Sequence, residues 1–568
     1  MVVTGTFEPL TIEEIDRDIR VLPARSQSLV LGSLVDLLRL DPTVDLQERA
    51  PDGVQTDVSI RGATFGQTLV LLNGQRLNDP QSGHHNMDIP VPVDAVQRIE
   101  VLKGSGSTMY GSDAVGGVIN VITEPPGGEE LRLRTAIGNQ GINEQSVSAA
   151  FGTRKFAEQL SFSRDFSSGF RTDRDYRLLD FASTTRAVSK FGTTSITAAY
   201  LDKPFGADQF YGNFPSWEDT KTWFAGVQQQ IGPQTTVSFS YRRHSDLFVL
   251  YRDEPEIYAN HHADESYQAA LRRRQELSNT ITMFYGVETL HESIVSNNLG
   301  DHSRSREAAY AAMDFRALKR FSLSISGREE IYGSLSNAFS PTVSGAMWLS
   351  AKLKLRGSSS RAFRIPSYTE LYYQDPANVG NPDLRPERAW TYEGGLDWTP
   401  SSKVRGELTA FQRRLKDGID YYRPTPNDLY QAVNIQDLKF NGIEAGLHIA
   451  PGRYQALDFR YTWLEGKQNT IPIGETKYTF NYPVNSGVMS WQLAPKGNFI
   501  VRTRVGVLDR RARDTYALWD LYAALLKGRV HPFLQFSNLA NTSYQEILGV
   551  PMPGRTVVGG VDMVFRKH

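Results

Sequence analysis

Apolar and polar residues alternate one by one through most of the chain. In one segment Leu457, Phe459 and Tyr461 are separated by Asp458 and Arg460. Because successive side chains of a β-strand point to opposite faces, each such segment predicts a strand with one apolar and one polar face. The same alternation recurs in residues 237–242, 281–288, 390–398 and 556–565.

These alternating segments recur through about 440 residues, with almost no helical pattern between them. A sheet of that length would expose two long edges if it stayed open, so we expect it to close into a barrel. At roughly 20 residues per strand and connection, the barrel would have about 20 strands and a lumen wide enough to need a plug. A soluble propeller or a row of tandem sandwiches is the alternative, but no repeat of fixed blade length is visible.

The N-terminal part of the chain follows a different pattern. A short amphipathic stretch at residues 34–38 predicts one helix. Short strands are predicted at residues 58–62, 68–72, 99–102 and 117–123, and Asn73-Gly74 predicts a tight turn after the second of them. The cluster Pro125-Pro126-Gly127-Gly128 marks the clearest boundary. We therefore divide the chain into a flexible leader (1–16), a mixed α+β domain (17–127) and the barrel (128–568).

Composition is consistent with a β-barrel that spans a membrane. The 62 basic and 63 acidic residues nearly cancel, so no overall field favours a nucleic acid as partner. Aromatic residues make up 11% of the chain, which suits strands and the aromatic girdles of membrane barrels. The mean hydropathy of −0.39 and the lack of a long apolar run exclude a transmembrane helix but not a barrel, whose alternating strands average to a hydrophilic value. With no cysteine, the chain has neither disulfides nor thiolate metal sites.

Motifs in both parts of the chain resemble those of TonB-dependent outer-membrane receptors. They occur in the order Ser59-Ile60-Arg61-Gly62, Val70-Leu71-Leu72-Asn73-Gly74-Gln75-Arg76, Ile99-Glu100-Val101-Leu102-Lys103-Gly104, Met109-Tyr110-Gly111-Ser112-Asp113-Ala114-Val115-Gly116-Gly117-Val118-Ile119-Asn120, Gly380-Asn381-Pro382-Asp383-Leu384-Arg385-Pro386-Glu387, Asn538-Leu539-Ala540-Asn541-Thr542-Ser543-Tyr544 and Pro553-Gly554-Arg555. The resemblance covers nearly the whole chain. It implies an all-β protein of the bacterial outer membrane, in which an N-terminal plug fills a 22-stranded antiparallel barrel and is opened by the periplasmic protein TonB.

The N-terminal segment Val2, Val3, Thr4 and Gly5 resembles the core of the TonB box, which TonB captures in this family. An extended segment can add a strand to the sheet edge of a partner. The alternative is a chance match of a few residues, but the segment stands just ahead of the plug. No apolar leader precedes it, so we expect the chain to be a mature form.

Two barrel glutamates, Glu393 and Glu444, stand on the polar faces of their strands and should point into the lumen. By resemblance they match barrel glutamates that face two plug cations, here Arg61 and Lys103. We call these four residues the charge seat and expect them to hold the plug in place. Lys103 stands where many family members carry arginine, which implies that bidentate pairing is lost there. The alternative is that all four are ordinary solvated charges of a polar lumen.

The substrate is expected to contact outer loops of the plug and of the barrel. Aromatic rings with a few polar groups suit a large amphipathic ligand, although Tyr and Trp also form interfacial girdles. The predicted contacts are Asn78, Gln81, His84, His85 and Asn86 in the plug and Phe210, Tyr211, Trp217, Tyr251, Tyr258, Tyr372 and Tyr373 in the barrel.

No metal or cofactor is predicted. The adjacent His84 and His85 suggest a metal site, but neighbouring side chains on a strand point to opposite faces and a loop guarantees no geometry. Calcium ordering of loops is known in some relatives, yet acidic residues such as Asp173 and Asp175 are too sparse to assign a site. No nucleophile–base set is visible, so we do not expect an enzyme.

The predicted function is TonB-dependent import of a scarce, bulky nutrient across the outer membrane. The short chain and the motif Phe205-Gly206-Ala207 with Phe210-Tyr211-Gly212 look most like cobalamin receptors, which favours a corrinoid. A ferric siderophore is the close alternative, since specificity lies in loops. A passive porin or an adhesin is the alternative from another class. The expected partners are TonB, the nutrient and outer-membrane lipid, and a surface lipoprotein lid is a further candidate.

Overall fold

The computed structural model describes residues 1–25, 32–318, 320–333, 336–435, 437–468, 474–511 and 513–567. Within these ranges the chain forms two structures, one inside the other. A closed barrel of 22 antiparallel strands surrounds an N-terminal plug, which confirms the predicted fold. No helix among the described residues is long and apolar enough to cross a membrane.

The barrel closes where its first strand pairs with its last, so its sheet has no free edge. Each of the other strands pairs with its neighbours in chain order. The strands are Glu129–Gly138, Asn143–Gly152, Phe156–Ser167, Tyr176–Ser189, Gly192–Gly206, Trp217–Ile231, Thr235–Val249, Ala259–Ser278, Ile281–Ser296, His302–Leu318, Phe321–Tyr332, Ser336–Ser350, Leu353–Arg364, Glu387–Ser401, Val404–Lys416, Leu438–Gly452, Gln455–Gln468, Pro483–Leu493, Phe499–Arg510, Tyr516–Leu525, Val530–Ser537 and Thr556–Lys567.

The two faces of the barrel wall have inverted polarity compared with a soluble protein. In the strand Thr235–Val249, Phe239 is 49% exposed on the outside while Arg242 is 2% exposed towards the lumen. The same alternation places Trp223 outside and Thr222 inside in the preceding strand. An apolar outer face and a polar inner face fit a barrel whose outside contacts lipid.

The two ends of the barrel differ in the length of their connections. Short turns lie at the end where residues 124–128 link the plug to the first strand, and we call this end the linker mouth. Long connections lie at the opposite end, which we call the loop mouth. They carry the helix Tyr368–Tyr372, a sheet of Asn378–Val379, Gly418–Arg423, Tyr430–Ile435 and Glu475–Thr476, and the hairpin Gln545–Ile547 with Val550–Pro551.

The plug is built around a mixed five-stranded sheet with a buried apolar core. The sheet order is Ile19–Leu22, Val96–Lys103, Gly117–Thr123, Thr68–Leu72 and Gln75–Arg76, and a separate hairpin pairs Val44–Ala50 with Gln55–Ile60. The predicted turn at Asn73-Gly74 is present, because Leu72 pairs with Gln75 across it. The helices are Leu34–Leu38 and Ser107–Tyr110, and the 3-10 turns of the chain are Phe65–Gln67, Gly83–His85, Val93–Ala95, Asn139–Gly141 and Pro495–Gly497.

The predicted helix at residues 34–38 forms with the same bounds, Leu34–Leu38. Ser33 caps it by accepting a hydrogen bond from the backbone N–H of Asp36. Its inner side buries Val35, Leu37 and Leu38 in the plug core. The last plug strand ends at Thr123 and the first barrel strand begins at Glu129, on either side of the proline–glycine cluster.

Candidate functional site

The structure brings the four residues of the charge seat together at the plug–wall interface. Arg61 follows the plug strand Gln55–Ile60 and reaches two barrel strands. Its Nε and Nη2 donate to the Glu444 carboxylate at 2.6 and 2.9 Å, and its Nη1 donates to Glu393 at 2.8 Å. All three side chains are buried. The bidentate contact with Glu444 fixes the orientation of the guanidinium as well as its distance.

Lys103 completes the seat with longer contacts. Its ammonium lies 3.5 Å from Glu444 and 3.7 Å from both Asp18 and Asp41, which are plug residues. Asp18 also receives a hydrogen bond from Arg61 at 3.1 Å. Asp18 and Asp41 were not predicted, because both belong to plug segments without an alternating pattern that would show where their side chains point.

Two further cations take part in this network. Arg17 of the plug lies 3.5 Å from Glu393, and Arg356 of the barrel lies 3.2 Å from Asp18. Burial alone would lower the pKa of Arg61, but the surrounding carboxylates outweigh it and raise the pKa above its ordinary value. Burial likewise opposes the charge on Lys103, yet its acidic neighbours raise that pKa. Both plug cations are therefore held in the charged form.

The N-terminal segment is packed against the plug at the linker mouth. The predicted flexible leader is wrong for its first residues, because Val2 is 3% exposed, Thr4 is 0% exposed, and Val2 forms a β-bridge with Leu10. The backbone N–H groups of Val3 and Thr4 donate to one carboxylate oxygen of Glu100 at 3.0 and 2.7 Å. These bonds replace the hydrogen bonds to water that the two backbone N–H groups would otherwise make.

Two more contacts fix this segment. The Asn120 side chain donates to the Thr4 hydroxyl at 2.9 Å. Gly5 has a φ of 72°, and a Cβ there would lie 2.9 Å from Ile19 Cδ1, so the turn requires glycine. All four residues of the predicted TonB box therefore lie at the linker mouth, in a docked conformation.

An aromatic cluster covers the apex of the plug at the loop mouth. The Phe65 and His84 rings stack with centroids 4.2 Å apart, and the Tyr478 ring packs edge-on against Phe65 at 4.9 Å. His84 also contacts Asp57 at 2.7 Å, although burial lowers the pKa of its imidazole despite this carboxylate. His84 is a predicted contact residue, and Phe65 lies in the same plug surface.

A lysine ammonium stands among the tyrosines of this cluster. Lys477 Nζ lies 5.5 to 5.6 Å from the ring centroids of Tyr421, Tyr430 and Tyr478. Its ammonium donates to the Asn378 amide oxygen at 3.2 Å, and it makes no ion pair within the described part of the chain. Lys477 could not be predicted, because it lies in a connection between strands where no periodic pattern shows which way a side chain points.

A second aromatic patch lines the barrel wall beside the plug. Tyr211 is 44% exposed, accepts a hydrogen bond from Gln55 at 2.5 Å and packs edge-on against Phe248. The Arg49 guanidinium lies 5.6 Å from its ring. Tyr211 is thus a predicted contact that the structure leaves accessible at the loop mouth.

The other predicted barrel residues fall into two groups. Tyr251, Tyr258, Tyr372 and Tyr373 lie in or beside the connections of the loop mouth, where Tyr372 stacks on His302 and Tyr258 packs near Phe248. Trp217 and Phe210 do not offer a binding surface. Trp217 alternates with the buried Glu218 and so lies on the outer face, whereas Phe210 is buried against the plug.

The remaining plug predictions are interior residues. Asn78 accepts from the backbone of Val70 and donates to that of Thr68, and Asn86 accepts from the Asp79 N–H. Both are buried, and their amides are used up by the plug backbone, so the structure argues against a substrate contact at either. Gln81 and His85 face the barrel wall, where Gln81 donates to Asp246 at 3.1 Å.

His85 belongs to a buried group of residues with the geometry of metal ligands. One atom from each of His85, Asp88 and His244 lies within 4.8 Å of the others, and a second such group is Asp79, His244 and Asp264. The 3-10 turn Gly83–His85 explains why the two adjacent histidines separate, with His84 at the apex and His85 at the wall.

Comparison with known proteins agrees with this architecture. Residues 124–537 match the family description "TonB dependent receptor-like, beta-barrel", and residues 21–118 match "TonB-dependent Receptor Plug Domain". The iron-regulated outer membrane virulence protein of Vibrio cholerae is 26% identical over 522 residues, covering 83% of this chain and 78% of that protein. The vitamin B12 transporter BtuB of Photobacterium profundum is 22% identical over 574 residues, covering 96% and 93%.

A solved structure shows the same fold. The siderophore receptor PirA from Acinetobacter baumannii superposes with a TM-score of 0.79 at 14% identity, covering 97% of this chain and 99% of that one. Proteins of this family are receptors and transporters of small molecules that work with TonB. The barrel, the plug and the matches over most of the chain show that this protein belongs to the TonB-dependent receptors of the outer membrane.

Proposed function

We propose that this receptor imports an anionic, aromatic iron complex, a ferric siderophore of the catecholate or phenolate type. The observation that carries the proposal is the Lys477 ammonium among the rings of Tyr421, Tyr430 and Tyr478, above the plug apex. A cation without a carboxylate partner favours an anionic ligand, and the tyrosine rings favour flat aromatic groups.

Three arginines of the loop mouth are neutralised by carboxylates. Arg423 pairs with Glu475 at 2.6 Å, and Arg385 pairs with Asp417 at 2.7 Å. Arg252 contacts Asp175 through two hydrogen bonds. Lys477 differs from these three arginines because it has an amide oxygen, and no carboxylate, as its polar partner.

A corrinoid is the second candidate. It is favoured by the vitamin B12 transporter that matches this chain over nearly the full length of both proteins. The motif that favoured a corrinoid in the sequence, however, is mostly packed against the plug. Phe205 and Ala207 are 1% and 0% exposed and lie in one cluster with Phe210 and Val54, so Tyr211 alone of that aromatic group remains open to a ligand.

Ligand binding to the purified protein in detergent tests the substrate. A ferric tris-catecholate, a ferric tris-hydroxamate and cyanocobalamin are titrated separately, and tryptophan fluorescence is recorded. We expect saturable binding of the ferric catecholate, and Lys477→Met should weaken it about tenfold, or about 1.4 kcal/mol. Lys403→Met is the matched control, because Lys403 is exposed at the linker mouth. Binding of cyanocobalamin without either iron complex would replace this proposal with the corrinoid.

Deletion of Val2 to Gly5 tests coupling to TonB. In cells that lack other receptors for the ligand, the deletion should abolish uptake while the purified variant still binds the ligand. A passive porin or an adhesin would behave differently, because diffusion through the barrel needs no coupling segment. Uptake that survives the deletion would therefore contradict active import.

A further inference from the structure

We propose that His85, Asp88 and His244 form a binding site for one divalent transition-metal ion between the plug and the barrel wall. We call these three residues the metal pocket. His85 and Asp88 come from the plug loop after the strand Gln75–Arg76, and His244 comes from the barrel strand Thr235–Val249. The inference rests on this geometry and not on the proposed substrate.

The donor atoms are spaced as metal ligands are. His244 Nε2 lies 3.3 Å and His85 Nδ1 lies 3.7 Å from the same oxygen of Asp88. Ligands about 2.0–2.1 Å from a tetrahedral zinc ion lie about 3.3 Å from one another. The two imidazole rings face each other with centroids 4.6 Å apart, so both rings converge on the oxygen of Asp88.

The outer nitrogen of each imidazole faces a carboxylate. His85 Nε2 lies 3.5 Å from Asp246, and His244 Nδ1 lies 2.9 Å from Asp79. Histidine ligands of metals commonly present the second ring nitrogen to such a carboxylate, which orients the ring and makes it a stronger donor. Gln81 in turn donates to Asp246, so the supporting group is itself held.

The third ligand is oriented in the same way. Lys203 donates to one oxygen of Asp88 and leaves the other oxygen to face the two imidazoles. Arg242 occupies the neighbouring group by donating to Asp79 at 2.7 Å and to Asp264 at 2.8 Å. Arg242 thus bridges two members of the second group, whereas Lys203 contacts one oxygen of Asp88 and neither imidazole of the metal pocket.

Unsatisfied atoms point to a missing partner in this region. Single carboxylate oxygens of Asp246 and Asp264 are buried and make no hydrogen bond. Four carboxylates, those of Asp79, Asp88, Asp246 and Asp264, face two fixed cations, Lys203 and Arg242. One divalent ion bound by neutral imidazoles would balance these charges. Asp180 and Glu218 also face this region.

The donor set indicates which metals fit. Two imidazole nitrogens with one carboxylate oxygen suit Zn²⁺, Co²⁺, Ni²⁺ and Cu²⁺, whereas Ca²⁺ and Mg²⁺ prefer oxygen alone. A cavity of about 100 Å³ lies beside this region and borders Lys203 and the residues on either side of Asp88, Met87 and Ile89.

Cobalt titration of the full-length, tag-free protein in detergent tests the site. After chelator treatment and dialysis, Co²⁺ is added and its visible absorption is followed, then Zn²⁺ is added as competitor. We expect one equivalent of Co²⁺ in a distorted tetrahedral site, displaced by Zn²⁺. His85→Gln, Asp88→Asn and His244→Gln should each weaken Co²⁺ binding at least 100-fold, and Asp246→Asn should weaken it about 10- to 100-fold.

His262→Gln is the matched control. His262 is also a buried lumen histidine, but its Nδ1 contacts Ser296 and it is not part of the metal pocket. Folding of each variant is checked by the shift in gel mobility on heating, and the plug variants keep the test decisive if His244→Gln does not fold. Equal Co²⁺ affinity in the wild type and the three ligand variants, or no stoichiometric uptake, would overturn the proposal and leave protons as the balancing charges.

Discussion

The charge seat and the metal pocket are both buried, charged contacts between the plug and the wall, but their charges are balanced differently. Around the seat, the carboxylates of Asp18, Asp41, Glu393 and Glu444 face the fixed cations Arg17, Arg61, Lys103 and Arg356. Around the pocket, four carboxylates face two fixed cations and two imidazoles. The seat needs nothing from solution, whereas the pocket needs protons or a metal.

This difference shows what each contact can do. A network of permanent charges keeps the same strength over the whole physiological range of pH and metal concentration. A network that includes imidazoles changes its strength with both. The plug is thus held by one contact that is constant and, in our proposal, by another that responds to its surroundings.

The largest effect is expected when the permanent network is broken. Arg61→Ala leaves Glu444 and Glu393 buried without their main partner, and removing one member of a buried ion pair costs about 3–5 kcal/mol. Chemical denaturation followed by limited proteolysis of the plug measures the loss. Arg385→Ala is the control, because its exposed pair with Asp417 should leave plug stability unchanged. Equal stability of both variants would show that the seat is ordinary solvated charge.

Metal ions should stabilise the plug through the pocket and not through the seat. An ion that binds only the folded state at 100 times its Kd adds about 2.7 kcal/mol. We expect that gain with Zn²⁺ in the wild type and in His262→Gln, and its loss in Asp88→Asn, measured by the same denaturation assay. If Zn²⁺ still stabilised the plug of Asp88→Asn, the metal pocket would not be the site through which Zn²⁺ acts.

A smaller effect is expected at the linker mouth, where one oxygen of the Glu100 carboxylate accepts from two backbone N–H groups and the other pairs with Arg98. Glu100→Gln removes the charge that accepts from Val3 and Thr4, a loss of about 1.5–3 kcal/mol. Because the chain has no cysteine, Val3→Cys provides a single position for a spin label, whose mobility should rise in the Glu100→Gln background. Glu124→Gln, a change in the linker, is the control, and equal mobility in both would contradict the role of Glu100.

The smallest effect concerns Lys103 within the seat. Its three contacts of 3.5 to 3.7 Å are longer than good charged hydrogen bonds. Lys103→Arg could donate to two carboxylates at once and should stabilise the plug by about 1 kcal/mol. Lys403→Arg, at the linker mouth, should leave the stability of the plug unchanged. A destabilised Lys103→Arg variant would show that the small space beside Lys103 does not admit a guanidinium.

The alternating pattern made much of the fold and half of the seat predictable. Glu393 and Glu444 could be assigned to the lumen because the faces of a barrel strand follow directly from the sequence. The same rule places His244 and Asp264 inside, but it does not say which plug loop they meet. That depends on how the plug is rotated in the barrel, which is a property of many contacts at once.

The errors have the same origin. The leader has too few apolar residues to predict burial, yet Val2 and Leu10 pair under the plug sheet because Glu100 satisfies the backbone beside them. Asn78 and Asn86 looked like ligand contacts because polar loop residues usually face solvent. In this plug their side-chain amides form hydrogen bonds with the backbone of the loop. These bonds can be seen only in the folded structure. Lys477 was not predicted because loops have no periodic pattern of apolar and polar residues.

If residues 2–5 are the TonB box that we predict, the docking of this segment would limit how often TonB can bind it. Two charge-assisted hydrogen bonds to Glu100 amount to about 3 kcal/mol, so the segment would be free in about one molecule in a hundred. A partner that binds only the free segment then sees its apparent affinity reduced roughly 100-fold. A ligand that shifts the strand carrying Glu100 would raise the fraction of molecules with a free segment. TonB would then bind ligand-loaded receptors in preference to the many empty ones.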